Sequence, residues 1–104
     1  IGQNISYFDA TTSNDAGTFR GNEYVDAAPT PGEGNTVSFI DDGEWLEYTV
    51  NVAQAGTYNL AIRYASGNAA GGGPFHIEVD GNTVANNITV GFTSANWSVW
   101  ATKQ

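Results

Sequence analysis

Trp45, Glu47, Arg63, His76 and Glu78 are the residues whose types and spacing could do chemistry. Trp45 and Glu47 stand two apart in Asp42-Gly43-Glu44-Trp45-Leu46-Glu47-Tyr48-Thr49-Val50, where an acid- and glycine-rich turn launches a strand. Side chains alternate along a strand, so Trp45, Glu47 and Thr49 share one face while Leu46, Tyr48 and Val50 share the other. By the same alternation Arg63 points outward from a strand over 58–65, and His76 and Glu78 point outward from one over 75–79. If these strands are neighbours, the five residues build a polar, aromatic-bearing patch on one sheet face.

Glu47 and Glu78 could in principle serve as a carboxylate pair for glycoside hydrolysis. A chain of 104 residues with small glycine loops has little with which to build a deep, water-excluding cleft, so no catalysis is expected. His76 has no serine or cysteine motif near it, which leaves a nucleophilic triad unsupported. Asp41-Asp42-Gly43-Glu44 lacks the ligand spacing of a calcium loop and reads as an acid-rich turn. Gly71-Gly72-Gly73 has neither the lysine nor the following helix of a phosphate loop.

Binding suits these residues better. The C–H faces of a pyranose are apolar and stack on aromatic rings, and its hydroxyls need carboxylates, amides or guanidinium groups as partners. Exposed aromatics beside Asn, Asp, Glu or Arg are therefore what a carbohydrate site requires. Trp97, in Ser94-Ala95-Asn96-Trp97-Ser98, is either an ordinary core or edge tryptophan or a ring at a loop mouth. Trp45 is either packed under a loop or a ligand platform. Phe39, on the residues alone, reads as core, as does Trp100.

Composition narrows the partners. Net charge is −8, with only Arg20, Arg63 and Lys103 on the basic side, which argues against nucleic acid and anionic membranes. That balance suits a neutral ligand or a cation. Hydrophobic residues make up 40% and charged residues 13%, too few charges for coiled coils or helical bundles. With no cysteine, the fold rests on its core or a metal. No apolar stretch approaches the roughly 18 residues of a membrane span. Asn4-Ile5-Ser6, Asn87-Ile88-Thr89 and Asn96-Trp97-Ser98 match the N-glycosylation pattern, as chance produces in an Asn-rich chain.

The elements that must position these residues are strands. Apolar residues nowhere follow a helical period, and glycine interrupts every long segment. Strands are predicted over 5–9, 23–25, 36–40, 45–52, 58–65, 75–79, 83–84, 88–90 and 97–102, the pattern of a sandwich or barrel. Leu46, Tyr48, Val50, Tyr58, Leu60, Ile62, Tyr64, Phe75, Ile77 and Val79 are expected to face inward. Residues 29–34 read as a loop because proline and glycine break ladders, and 66–74 as a mobile glycine loop. Asp80-Gly81-Asn82 is a hairpin turn.

Residues 37–52 (Val-Ser-Phe-Ile-Asp-Asp-Gly-Glu-Trp-Leu-Glu-Tyr-Thr-Val-Asn-Val), Ala55-Gly56-Thr57-Tyr58 and Ile62-Arg63-Tyr64-Ala65-Ser66-Gly67 resemble family 6 carbohydrate-binding modules. Phe75-His76-Ile77-Glu78-Val79-Asp80-Gly81 and Asn96-Trp97-Ser98-Val99-Trp100 extend the resemblance over roughly 36–102. It implies an all-β fold, a two-sheet antiparallel β-sandwich of jelly-roll type, carried as a monomeric, non-catalytic module of a secreted glycoside hydrolase. It also implies a loop site in which Phe39 and Trp97 grip a sugar ring, with Glu23 and Asp26 near the position of a specificity-setting acid. Phe39 stands where the family usually has tyrosine or tryptophan, so stacking survives and a hydroxyl is lost. A second, concave-face site would use Trp45 and Glu78, which the alternation pattern groups with Glu47 and Arg63.

The family's opening strand and closing strand pair have no counterpart here. The chain is therefore expected to be a single module, 1–104, incomplete at both ends, and the ligands of the family's structural calcium are not identifiable. The implied ligand is a neutral β-linked polysaccharide. The loop at 29–34 places β-1,3-glucan or an agar-like galactan slightly ahead of xylan and other β-glucans. The competing reading is an adhesion or structural sandwich without sugar specificity.

Overall fold

In the computed structural model of the protein, which describes residues 2–16, 19 and 22–104, the described residues form eight strands and no helix. The strands are β1 (Tyr7–Phe8), β2 (Ala27–Thr30), β3 (Gly34–Val37), β4 (Trp45–Leu46), β5 (Ile62–Tyr64), β6 (Gly72–Val79), β7 (Asn82–Val90) and β8 (Ala101–Lys103). They pair as β1–β4, β2–β3, β5–β8 and β6–β7, each antiparallel, as expected of a β-sandwich. The chain divides into two compact units, Ile1–Ala53 and Gln54–Gln104, each described by itself.

In the second unit the longest ladder follows from its turn. Asp80 and Gly81 take φ of 51° and 80° and join Val79 to its partner Asn82, the left-handed pair that a two-residue hairpin needs. Along β6, Phe75 and Ile77 are half-buried and His76 and Glu78 exposed, as alternation predicts. Their partners Ile88 and Ala85 are half-buried too, so the apolar face is built from cross-strand pairs. Val79, predicted inward, is instead exposed at the end of the strand.

The glycine run was expected to be loop, yet Gly72, Gly73 and Pro74 begin β6. Close approach explains this: a Cβ on Gly71 would lie 2.2 Å from the Val90 carbonyl oxygen, and one on Gly73 would lie 2.6 Å from that of Ile88. Only a residue without a side chain lets the backbones come so near. The two predicted segments 83–84 and 88–90 are one strand, β7, with irregular register against β6. β5 and β8 are shorter than predicted, with Ile62, Arg63 and Tyr64 opposite Lys103, Thr102 and Ala101.

In the first unit the segment 29–34 is also not a loop. Ala27, Ala28, Pro29 and Thr30 pair with Val37, Thr36, Asn35 and Gly34, leaving only a short turn closed by Glu33 N–H donating to the Thr30 carbonyl at 3.0 Å. Pro29 is tolerated because a two-stranded ladder leaves each strand an outer edge that needs no N–H partner. The strand predicted over 23–25 thus lies further on, at β2. In the other pair Tyr7 faces Leu46 and Phe8 faces Trp45.

Among the described residues the buried apolar ones are Tyr7, Val25 and Ala27, joined in the first unit by the polar Asp9, Glu23 and Asp26. The inward face predicted for 45–52 is corrected: Leu46, Tyr48 and Val50 are exposed, as are Tyr58 and Leu60. β4 stops at Leu46, and residues 47–61 form no strand, so their alternation has no sheet face to follow.

Candidate functional site

Phe39 and Trp97, the aromatics on which the loop-site expectation rests, share an unusual backbone. Phe39 has φ of 51° and Trp97 φ of 60°. The other described non-glycine residues with positive φ are Asn4, Asp80 and Asn87, types that tolerate the left-handed region through local hydrogen bonds. Bulky aromatics do not, and each such residue costs of order 1–2 kcal/mol. Both rings are also exposed, Phe39 by 64% and Trp97 by 58%. Phe39 is therefore not core, which corrects the reading of its residue type alone.

Each ring is held by its neighbours. Ahead of Phe39, Ser38 N–H donates to the Asp26 carbonyl at 2.8 Å. Trp97 N–H donates to the Ser94 carbonyl at 3.1 Å, closing a turn. The Asn96 side-chain oxygen accepts from Ser94 Oγ at 2.9 Å and from the Ser98 N–H and Oγ at 3.2 and 2.7 Å. This network is the sort of support that keeps a strained residue in place.

Glu23 lies on the wall of a small polar pocket of about 150 Å³, with Gln3, Tyr7, Asn22 and Tyr24. Its Oε2 accepts the Gly2 N–H at 3.0 Å, and the buried Tyr7 hydroxyl bonds the same side chain. Burial first, then the Glu23 carboxylate, push the Tyr7 phenol above its ordinary pKa. The Tyr7 hydroxyl oxygen also accepts the Tyr24 N–H at 3.1 Å. Gln3, Asn22 and Tyr24 escaped the sequence reading because no motif links residue 3 to residues 22–24; only the fold of the first unit does.

Asp26 is fully buried and presents no surface to a ligand. Its Oδ1 accepts the Asp15 N–H, its own N–H donates to Asp9 Oδ2 at 3.3 Å, and its Oδ2 has no partner among the described residues. Burial raises its carboxyl pKa above the ordinary value. Asp26 organises the loops that lead to Phe39 rather than facing outward beside it.

Of the concave-face set, Trp45 and Glu47 belong to the first unit and Arg63 and Glu78 to the second. Trp45 and Leu46 are equally exposed at 42%, so alternation does not single out the tryptophan. Glu47 N–H donates to the Ser6 carbonyl at 2.7 Å, and its side chain borders a cavity of about 260 Å³ together with Tyr7, Val37, Leu46 and Tyr48. Arg63 reaches the cross-strand Thr102 Oγ1 at 3.3 Å. Glu78 meets His76 Nε2 at 3.0 Å, an exposed pair worth at most about 1 kcal/mol. The ladders pair β4, β5 and β6 each with a different strand, so the neighbour relation assumed for them is not one of strand pairing.

The Asp41–Glu44 turn is closed by its own groups. Glu44 Oε2 accepts the Asp41 N–H at 3.0 Å, Oε1 accepts the Ala10 N–H at 2.9 Å, and Gly43 takes φ of 87°. Among the described residues no group of three or more His, Asp and Glu side chains is placed to hold a metal.

Residues 5–104 match the family described as carbohydrate binding module (family 6). The chain is 38% identical over 61 residues to an exo-beta-D-glucosaminidase of Amycolatopsis orientalis, which covers 59% of this chain and 6% of that protein. It is 38% identical over 72 residues to a 1,6-alpha-glucosyltransferase of Sporosarcina globispora, covering 61% of this chain and 5% of that protein. No solved structure matches. With nearly its whole length matched, the chain belongs to carbohydrate binding module family 6, whose members are non-catalytic β-sandwiches that bind sugars.

Proposed function

We propose that the module binds a neutral β-linked polysaccharide, such as a β-glucan, an agar-like galactan or a xylan. In doing so it holds an attached, secreted carbohydrate-active enzyme on its substrate. The observation that carries this reading is made twice, at Phe39 in the first unit and at Trp97 in the second: each is an exposed ring kept in a strained backbone conformation of the kind that clusters at functional sites. A pyranose stacks on such a ring through its C–H face, and nearby polar groups take its hydroxyls. Glu23, at its polar pocket, is the buried acid best placed to meet a hydroxyl in the first unit.

Both relatives bear the names of carbohydrate-active enzymes, and the small share of each that this chain covers fits an appended module. Tethering raises the effective concentration of catalyst at the polymer without any chemistry of its own. The preference for β-1,3-glucan or agar over xylan loses its ground, since the segment that prompted it, 29–34, is a hairpin turn with its flanking strand residues.

Titration calorimetry against laminarin, agarose, xylan, cellulose oligomers and chitosan tests the reading. Heat is expected with at least one neutral polymer, with affinity reduced about tenfold or more in Trp97→Ala, or roughly 1.4 kcal/mol. Silence across the whole panel would return the module to the adhesion or structural reading.

A further inference from the structure

We infer that Gly67 is a positioning residue for the sugar-stacking face of Trp97, an inference that rests on the sugar-binding reading of that ring. A Cβ placed on Gly67 would lie 2.3 Å from Trp97 Cε2, 2.3 Å from Nε1 and 2.6 Å from Cδ2. Cε2 is bonded to both of the other atoms, so near-equal distances to all three put the missing methyl over the face of the pyrrole ring and not at its rim. Gly67 thus covers one face of the indole. The ring is nevertheless 58% exposed, which leaves its opposite face as the open platform.

The two segments are fixed to each other just before these residues. Ser66 is buried, its N–H donates to Thr93 Oγ1 at 2.8 Å, and its carbonyl accepts the Thr93 N–H at 2.8 Å and the Thr93 hydroxyl at 3.2 Å. Thr93 leads directly into the Ser94–Trp97 turn. The segments that carry Gly67 and Trp97 are therefore tied to each other just ahead of both residues.

Gly67, unlike Gly71, Gly73 and Gly81, does not have a positive φ, so alanine fits its backbone without strain. The three atoms nearest to the methyl added by Gly67→Ala all belong to the ring. An approach of 2.3 Å must open to at least the 3.4 Å of ordinary contact, driving the indole back by about 1 Å. A shift of that size spoils stacking geometry while leaving the fold intact.

The test compares Gly67→Ala, Trp97→Ala and the double variant with the unaltered module, using calorimetry with the polymer that binds and the indole N–H signals of the free protein. Gly56→Ala, whose added methyl meets nothing within 4 Å, serves as control. The expected result is an affinity loss of about threefold to tenfold in Gly67→Ala, no further loss on adding it to Trp97→Ala, and a shifted Trp97 indole signal without ligand. An unmoved signal and unchanged affinity in Gly67→Ala, with Trp97→Ala still defective, overturns the inference and spares the sugar reading. An equal loss in the Trp97→Ala background also overturns it, since Gly67 would then act elsewhere. Unchanged affinity in Trp97→Ala itself would remove the sugar reading at this ring and the inference with it.

Discussion

Phe39 and Asp26 show how single residues in the first unit trade stability for placement. Phe39 sits at φ of 51° with its ring exposed, a combination that an asparagine would bear more easily. Phe39→Asn is expected to raise unfolding stability by about 1 kcal/mol while weakening sugar binding, checked by urea unfolding and calorimetry on the same samples. Stability unchanged or lower would mean that the backbone is not strained there. Asp26 offers a second check through pH. Burial raises its pKa, so the folded state holds the proton where the unfolded state releases it. Its contribution then favours folding at low pH and is lost as pH climbs from the ordinary Asp value through the raised one. Asp26→Asn should therefore match the unaltered module at pH below the ordinary Asp value and become the more stable of the two as pH climbs towards neutrality. A gap that does not widen with pH would contradict a raised pKa for this carboxyl.

At the scale of elements, the β6–β7 hairpin depends on glycine in two different ways. Gly81 has φ of 80° and open space around it, so Gly81→Ala costs only backbone strain, about 1 kcal/mol. Gly71 has φ of 81°, and a Cβ added there would also lie 2.2 Å from the Val90 carbonyl oxygen, so Gly71→Ala should cost clearly more and fray the start of the ladder. Thermal unfolding of the two variants, with amide exchange at Val90, checks the order. Equal losses would mean that Gly71 makes no close approach.

The same hairpin shows what could be read in the sequence. Asp80-Gly81 and the alternation of Phe75, His76, Ile77 and Glu78 are local signals, and the structure follows them. Gly72 and Gly73 read locally as loop, but their role depends on how near β7 comes, which no local pattern encodes. For 45–52 the alternation was visible, yet the strand ends at Leu46, since alternation describes a face and does not supply a pairing partner. Within the site, the types and motif positions of Phe39 and Trp97 were legible. The left-handed backbone of both aromatics was not, because residue type argues against it; the burial of Asp26 and the support of Trp97 by Gly67 were not, because each arises from contacts between segments distant in the chain.

For the whole molecule, net charge −8 and membership in a sugar-binding family lead to a further expectation. Stacking on a neutral polymer involves no ion pairs, so raising salt from about 0.05 to about 0.5 M should change affinity by less than about twofold. A steep fall with salt would instead point to a cationic polymer held by the acidic surface. The most direct test of the central claim is a crystal structure of the module soaked with an oligosaccharide of the polymer it binds. A sugar ring should lie parallel to the Trp97 indole at roughly van der Waals distance, on the face turned away from Gly67. A bound sugar that leaves Trp97 untouched would contradict the account.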